Sequence, residues 1–468
     1  MLQTFKNAWR TKDIRSKLIF TAIILLIYRI GTVIPVPFVD AHGFAGSFSG
    51  TILDQMNILS GGSLEAATLF ALGVQPYINA SIIIQLLAVA FPKLGELSKD
   101  EQGKKVMSFI TRIVTVGLAL VTAIGYYFLL KNNGMLSAAA TKSGVSQWLC
   151  AAVIVVCYCA GASLIMWLGE RINEKGIGNG ISMILFANII AVLPSTMYAL
   201  LEYLVIPSFS TLNDLAWLRA TAAIVMALFI IAITIAMTVF IIWVTGSERR
   251  IPVQYAKKVV GRKMYGGQFS NLPIKLNMTG VMPVIFASSI VSLVPTILQL
   301  CGVQAGTKNF WEKLANFLSP NGWFYPVTLF LLIIGFAYFY TQITFNPIEV
   351  ANNLKKQGGA IPGIRQGRPT SDYIRKVLNK ITFVGALFLG IIAILPILAA
   401  PHVLTPLIDT ILNLSATSAS SGSEYASFVA SKFTFGGTSL LIVVGVVLET
   451  FRELEAQLTM RNYKGFLN

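Results

Sequence analysis

The stretch GGSLEAATLFALGVQPYINASIIIQLLAVAF, residues 61–91, decides how this chain folds. A bilayer core is crossed by roughly 20 apolar residues in a helix, so the stretch has the length of about one and a half membrane spans. Gly73 and Pro76 interrupt it, and the pattern predicts a broken helix. The first piece, Ser63 to Leu72, is too short to cross and is predicted to be re-entrant. The second piece, Gln75 to Phe91, is long enough to span.

The second piece carries polar side chains among isoleucines and leucines, namely Gln75, Asn79, Ser81 and Gln85. Helix breaks and amides at membrane depth are tolerated only where protein or a water-filled cavity supplies their hydrogen bonds. We therefore expect this segment to border an aqueous cavity. A surface helix followed by an ordinary span with a proline near its start fits these residues alone equally well.

The composition is that of a membrane protein. The chain is 55% hydrophobic and only 12% charged, with a mean hydropathy of +0.71, whereas soluble domains have roughly 25% charged residues. Ten segments are predicted to span the membrane: Leu18 to Ile34, Gln75 to Phe91, Met107 to Leu130, Trp148 to Leu168, Gly180 to Leu204, Thr221 to Val244, Val281 to Leu300, Tyr325 to Phe345, Ile381 to Ala400 and Phe435 to Phe451. An even number returns the C-terminus to the side of the N-terminus.

Positive charge fixes the expected orientation. Residues 1–17 hold Lys6, Arg10, Lys12, Arg15 and Lys17 directly before the first span, which predicts a cytoplasmic N-terminus. Because no small-residue cleavage site follows, we expect this span to be retained. Connections on the same side carry most of the remaining lysines and arginines, while the opposite side has only Lys131, Lys142, Arg219, Lys308, Lys313 and Lys432.

Two long cytoplasmic connections are predicted to have structure of their own. In residues 246–275, apolar Ile251, Val253 and Tyr255 alternate with other residues, which predicts a basic β-hairpin. A lipid-headgroup or solubilising role fits such a charge cluster as well as partner binding does. In residues 346–380, glycines and a proline shape a turn that presents Arg365 and Arg368 outward.

The residue types exclude several classes of function. The span interiors contain no Asp, Glu or His. A proton relay or an intramembrane protease would therefore lack the acidic or histidine side chains that it needs. A nucleotide-binding Gly-x4-Gly-Lys-Ser/Thr loop is also missing. We expect neither an enzyme nor a bound cofactor or metal. A passive conduit driven by partners and an ion-coupled or uniporting secondary transporter of small solutes both remain, because broken helices and amides serve carriers too.

Four strings resemble the SecY family, the channel subunits of Sec protein translocases. They are GSLEAATLFALGVQPYINASIIIQLL at 62–87, WLGERINEKGIGNGIS at 167–182, FNPIEVANNLKKQGGAIPGIRQG at 345–367 and FGGTSLLIVV at 435–444. The resemblance extends along nearly the whole chain. The external loop 401–433, with its Ser- and Ala-rich run, departs from the family pattern.

The resemblance implies an all-α polytopic membrane protein with ten transmembrane helices. These would form two five-helix, inverted-repeat halves around a central pore, with a re-entrant plug helix, in the bacterial plasma membrane with both termini cytoplasmic. The expected divisions are a cytoplasmic N-terminus 1–17, an N-terminal half 18–204 with plug 61–72 and gate helix 75–91, an external linker 205–220, a C-terminal half 221–451 with cytoplasmic loops 246–275 and 346–380, and a cytoplasmic tail 452–468.

The resemblance also implies site residues. The pore ring falls on Val74, Ile78, Ile181, Leu185, Ile285 and Ile442; the plug on Ser63, Leu64, Glu65, Ala66, Ala67, Thr68, Leu69 and Phe70; and the lateral gate on Asn79, Ser288 and Ser289. Val74 and Leu185 stand where the family leads us to expect isoleucine. Surfaces for SecA or the ribosome fall on Arg249, Arg250, Lys257, Lys258, Arg262, Lys263, Arg365 and Arg368.

The function implied is a protein-conducting channel that passes unfolded, signal-bearing polypeptides across the plasma membrane and releases membrane segments sideways into lipid. The implied partners are SecE-like and SecG-like membrane subunits, the SecA ATPase, the ribosome, signal sequences with their precursor or nascent chains, and membrane lipids. A ring of branched aliphatic side chains suits this task, because it repels water and ions without holding a passing polypeptide by fixed hydrogen bonds.

Overall fold

The computed structural model describes residues 2–40, 52–97, 100–137, 145–200, 216–255, 258–260, 263–265, 269–300, 317, 322, 324–399, 406 and 436–464. The first part of the chain forms α1 (Leu2–Arg10), α2 (Lys12–Gly31), α3 (Ile52–Leu59), α4 (Gln75–Ala90), α5 (Pro92–Leu97), α6 (Glu101–Asn132), α7 (Val145–Lys175) and α8 (Gly180–Leu200). The second part forms α9 (Ala216–Gly246), strands β1 (Glu248–Tyr255), β2 (Lys258–Val260), β3 (Lys263–Tyr265) and β4 (Phe269–Lys275), then α10 (Met282–Leu300), α11 (Phe324–Thr344), α12 (Pro347–Lys356), β5 (Gly359–Ala360), α13 (Arg368–Ala399) and α14 (Gly436–Lys464).

Each of the ten predicted spans contains a helix. Within the described ranges, five helical stretches are long and apolar enough to cross a membrane: Glu101–Asn132, Gln147–Lys175, Leu228–Gly246, Phe324–Lys356 and Arg368–Ala399. Shorter apolar helices run over Gln75–Ala90, Gly180–Ser195 and Met282–Leu298. The chain is therefore mostly helical and has the apolar helices of a multi-pass membrane protein.

The predicted helix over Ser63 to Leu72 is wrong. Residues 60–74 form consecutive turns, and the helix in this region, α3, ends before them at Leu59. Gly61 and Gly62 have φ of 72° and 85°, Ala67 has φ of 46° and Gly73 has φ of 57°. A right-handed helix requires negative φ, so these residues divide the piece into short turns. We call residues 59–74 the turn segment.

Two connections are partly helical. In the string at 167–182, α7 continues to Lys175, and Arg171 pairs with Glu174 at 2.6 Å one turn apart. The connection 346–380 likewise holds all of α12 and the start of α13. At its beginning, the Asn346 side chain accepts a hydrogen bond from the Ile348 N–H and caps α12.

The two ends of the described chain lie on one side of the helix bundle. Lys17 Nζ donates to Gln457 Oε1 at 3.3 Å, and the Gly178 N–H donates to Glu453 Oε2 at 2.8 Å. One small core joins α1, α2, the α7–α8 turn and α14 through Ala8, Ile14, Ile177 and Leu454. This arrangement agrees with an even number of crossings.

The predicted hairpin is confirmed, and a second connection packs onto it. β1 pairs with β4 in antiparallel register from Glu248↔Lys275 to Gln254↔Phe269. β5 from the connection 346–380 adds to the other edge of β1 through Gln254↔Ala360. The shared core contains Ile251, Val253, Ile274, Leu354, Ile361, Ile374 and Leu378. The two basic connections therefore pack into one unit. This unit lies on the side that holds the described ends, because Arg452 Nη2 of α14 donates to the Thr245 carbonyl at 2.8 Å just before β1.

Cysteine labelling tests this arrangement in the membrane. Gln366 lies on the exposed turn between β5 and α13, and Asn132 is exposed at the far end of α6. In a version without Cys150, Cys157, Cys159 and Cys301, an impermeant maleimide should label Asn132→Cys in intact cells and Gln366→Cys only after the cells are opened. Labelling of position 366 in intact cells would contradict the ten-span arrangement.

A candidate pore constriction and the segment below it

Six aliphatic residues that lie far apart in the sequence belong to, or pack against, one large hydrophobic cluster. Val74, Ile78, Leu185, Ile285 and Ile442 belong to one buried cluster, and Ile181 packs against it partly buried. Val74 immediately precedes α4 and Ile78 lies in its first turn; Ile181 and Leu185 start α8, Ile285 starts α10, and Ile442 lies in the second turn of α14. Four helices thus contribute aliphatic side chains near their N-terminal ends. These are the six residues that the resemblance assigns to a pore ring.

Only a small cavity is left where Val74, Ile78 and Leu185 lie against the turn segment. The cavity at this place has a volume of about 10 Å³ and is lined by residues that include Leu59, Ser60, Val74, Ile78 and Leu185. A cavity of this size has room for no more than about one water molecule. Little space for water therefore remains at this contact.

The turn segment bridges the two largest hydrophobic clusters. Phe70 belongs to the large cluster that contains the constriction residues, whereas Leu64, Ala67, Ala71 and Leu72 belong to a cluster with residues of α6 and α7. Of the residues that the resemblance assigns to a plug, Ser63, Leu64, Ala67, Thr68 and Phe70 are buried, Glu65 and Leu69 are half-buried, and Ala66 is exposed. Most of the segment therefore lies inside the bundle.

Two hydrogen bonds join the turn segment to Asn57 of the preceding helix, α3. Asn57 Nδ2 donates to Glu65 Oε2 at 2.6 Å, and Asn57 Oδ1 accepts from the Glu65 N–H at 3.0 Å. Glu65, the acid that the sequence places unexpectedly in this apolar stretch, is thus bonded through both its side chain and its main chain.

Hydrogen bonds from the surrounding helices also reach the segment. Tyr126 of α6 donates to the Leu64 carbonyl at 2.5 Å, Tyr158 of α7 donates to the Ala67 carbonyl at 3.2 Å, and Asn188 of α8 donates to the Leu59 carbonyl at 2.8 Å. On the α2 side, the Leu69 N–H donates to the Ile34 carbonyl at 2.9 Å. The sequence analysis did not predict these hydrogen bonds, because the sequence around a tyrosine in an apolar span does not indicate which carbonyl accepts from its hydroxyl.

The polar residues assigned to a lateral gate lie on α4 and α10, which pack against each other. The hydroxyl of Ser288 donates to the Ile285 carbonyl of its own helix at 2.9 Å. Asn79 Oδ1 is buried without a hydrogen-bond partner, and in the described part of the chain no hydrogen bond joins Asn79 to Ser288 or Ser289. The structure thus brings the helices together but not these polar groups.

A polar contact that the sequence did not predict joins α4 to α11. The Tyr340 hydroxyl donates to Gln85 Oε1 at 2.5 Å, and Gln85 Nε2 donates to the Ser81 hydroxyl at 3.0 Å. Gln85 and Ser81 were recognised as polar positions in a spanning helix, but their partner on α11 lies more than 250 residues away. An amide within an apolar helix is the signal that could have prompted a search for such a partner.

The basic residues assigned to partner binding are exposed wherever the structure describes their side chains. Arg249, Arg250, Arg365 and Arg368 are exposed, and Arg250 pairs with Glu248 at 2.7 Å. Lys258 and Lys263 lie in β2 and β3, while Lys257 and Arg262 lie outside the described residues. At the base of the hairpin, burial lowers the pKa of Lys275, and the neighbouring Arg452 lowers it further. The exposed arginines leave a positively charged surface on the unit formed by the two connections.

Comparison with known proteins identifies the family. A family model described as SecY matches residues 68–451. The protein translocase subunit SecY of Streptomyces galbus is 40% identical over 482 residues, which cover 100% of both chains. A SecY protein whose plug domain is described as stabilising the closed state of the translocation channel has a similar structure, with a TM-score of 0.56, 18% identity, and coverage of 94% of this chain and 92% of that chain.

A further solved structure is canine Sec61 in a ribosome–channel complex from the endoplasmic reticulum. It has a TM-score of 0.56 and 17% identity, and the match covers 94% of this chain and 92% of that chain. At such identities the structural similarity supports the fold. Because the family model matches most of the chain and a full-length relative is 40% identical to it, the chain belongs to the SecY family.

Proposed function

We propose that this chain forms the channel of a protein translocase, through which unfolded, signal-bearing polypeptides cross the membrane. The observation that carries the proposal is that one hydrophobic cluster takes in Val74, Ile78, Leu185, Ile285 and Ile442, with Ile181 packed against it, and that Phe70 of the turn segment belongs to the same cluster. A narrow aliphatic ring seals by dewetting and offers no fixed hydrogen bonds to a passing chain. The turn segment acts as the plug that closes this ring.

Release of membrane segments into lipid uses the contact of α4 with α10 and α11. Asn79, Ser288 and Ser289 line this lateral gate, and the Gln85–Tyr340 hydrogen bond closes it between α4 and α11. Polar contacts suit a gate of this kind. When the helices separate, the polar side chains of the gate can turn toward the aqueous pore, while the apolar segment that leaves the pore gains contacts with lipid.

In the membrane, the chain forms ten spans arranged as two inverted five-helix halves, and the turn segment enters the bundle from outside. Both termini and the two basic connections are cytoplasmic, in accord with the distribution of lysine and arginine. The membrane is the plasma membrane of a bacterium. The packing of the described ends on one side of the bundle supports placing both termini on the same side of the membrane.

The partners act at the lipid-facing and cytoplasmic surfaces. SecE-like and SecG-like subunits bind the outside of the helix bundle, and SecA or a translating ribosome binds the unit that carries Arg249, Arg365 and Arg368. Acidic protein patches and the phosphates of ribosomal RNA both complement exposed arginines. The chain itself supplies no chemical step; SecA or the ribosome drives movement.

Reconstitution tests the function. The purified chain with a SecE-like subunit and SecA in vesicles should render a signal-bearing precursor resistant to external protease when ATP is added. Vesicles without the chain are the control, and uptake of small solutes is measured on the same preparation. Solute uptake without protection of the precursor would replace the channel with a secondary transporter.

A further inference from the structure

The turn segment is held mainly through its backbone. Three side chains from three different helices, Tyr126, Tyr158 and Asn188, donate to the carbonyls of residues in this segment. The exposed fractions of these donors are 1%, 0% and 0%. Neither the donors nor the acceptors have ready access to solvent in the closed arrangement.

These carbonyls need partners because of the local conformation. The positive φ values at Gly61, Gly62, Ala67 and Gly73 prevent a continuous helix, so helical hydrogen bonds cannot satisfy the whole segment. A buried carbonyl without a donor is unfavourable, and so is a buried hydroxyl or amide left without an acceptor. When the turn segment moves out of the bundle, each of these hydrogen bonds breaks, and both its donor and its acceptor lose their partner.

The two tyrosines are held in position by the packing around them. The rings of Tyr126 and Tyr158 pack edge to face, with centroids 5.0 Å apart. The main chain of α7 approaches the segment so closely at Gly161 that a Cβ there would lie 2.0 Å from the Leu69 carbonyl oxygen. This fit keeps the segment at the distance that the Tyr158 hydroxyl requires.

Asn188 links the start of the segment to its far end. Its Nδ2 donates both to the Leu59 carbonyl and to the Tyr28 hydroxyl, each at 2.8 Å. The Tyr28 ring stacks on Phe70, with centroids 5.3 Å apart, and Phe70 packs with the constriction. One amide therefore couples the end of α3 to the part of the segment that contacts the ring.

On the basis of the channel function proposed above, we propose that Tyr126, Tyr158 and Asn188 are positioning residues that set the threshold for opening by holding the backbone of the turn segment. Signal sequences must supply the free energy that breaks these bonds. A single hydrogen bond contributes enough to change an equilibrium about two- to tenfold. Loss of each donor should therefore raise the open population by about that factor.

Tyrosine-to-phenylalanine variants test the proposal, because they remove the hydroxyl and keep the ring. Tyr126→Phe and Tyr158→Phe, singly and together, are compared with Tyr127→Phe. Tyr127 is buried in the same cluster, but its hydroxyl makes no hydrogen bond to the turn segment in the part of the chain described. Ser63 is buried in the turn segment, with an exposed fraction of 1%. A cysteine at this position (Ser63→Cys) therefore reports opening through the rate of its reaction with a soluble thiol reagent.

The expected result is a two- to tenfold faster reaction of Ser63→Cys for each tyrosine variant and a larger increase for the pair. Ion leak through vesicles and export of precursors with defective signals should rise in parallel, while Tyr127→Phe stays at the parental level. An unchanged reaction rate, or an equal increase with Tyr127→Phe, would overturn the proposal. The reaction rate needs no transport, so failure of the parent to translocate would instead count against the channel function.

Discussion

Replacing Ile442 with asparagine is expected to raise the resting ion conductance and to allow export of precursors whose signal sequences are defective. Ile442 has an exposed fraction of 2% and packs with the other aliphatic residues of the constriction. Burial of an aliphatic side chain contributes about 1.5 to 3 kcal/mol, and an amide in its place favours hydration of the ring. Open and closed states of such switches differ by only a few kcal/mol, so the population should shift by about tenfold or more toward open.

Leu441→Asn is the matched control for this prediction. Leu441 is the preceding residue of α14 and is equally buried, with an exposed fraction of 1%, but it is not one of the six ring residues. An asparagine there should lower membrane abundance without relaxing selectivity for signals. If Ile442→Asn gave the same result, reduced abundance with unchanged selectivity, Ile442 would be an ordinary core residue and its assignment to the pore would fail.

Arg365→Glu is expected to reduce SecA-driven translocation at least about tenfold while the protein folds and assembles normally. The Arg365 side chain is exposed. The turn that carries it is held by other groups, since Gln366 Nε2 donates to the Gly359 carbonyl at 3.2 Å and Thr370 Oγ1 donates to the Arg365 carbonyl at 2.8 Å. Reversal of one interfacial charge typically costs several kcal/mol when the contact is buried by a partner.

The control for this prediction is Arg375→Glu on the exposed surface of α13, away from the turn. It changes the net charge by the same amount, so a general electrostatic effect would appear in both variants. ATP-dependent protection of a precursor is measured in vesicles that contain equal amounts of each protein. Parental activity in Arg365→Glu would place the SecA contact elsewhere.

Much of the fold was predictable because membrane helices and hairpins leave strong local patterns. All ten apolar segments contain helices, since long apolar runs must satisfy their backbone internally. The alternation of Ile251, Val253 and Tyr255 correctly predicted β1. The six ring residues came from motif resemblance; the structure places them in or against one large hydrophobic cluster, and their role as a pore ring stays a prediction.

The remaining features depend on partners distant in sequence. The pairing of β5 with β1 joins connections about 100 residues apart, and no local pattern specifies it. Arg112 lies in a predicted span, and its two hydrogen-bonding contacts to Glu170, both at 2.9 Å, follow from the packing of α6 on α7. The turn segment was predicted as a helix because its composition suits one, whereas its conformation follows from the glycines and from bonds to neighbouring helices.

A polypeptide that passes through the ring of these six residues comes within reach of their side chains, and cross-linking of an arrested precursor tests this passage. A photo-reactive amino acid is placed at Ile78 or Ile285 in the ring, or at Ile154, which is buried in the other large cluster. With a precursor held halfway across the membrane, Ile78 and Ile285 should cross-link to it and Ile154 should not. Arrested precursor without cross-links at either ring position, or with equal cross-linking at Ile154, would contradict the account.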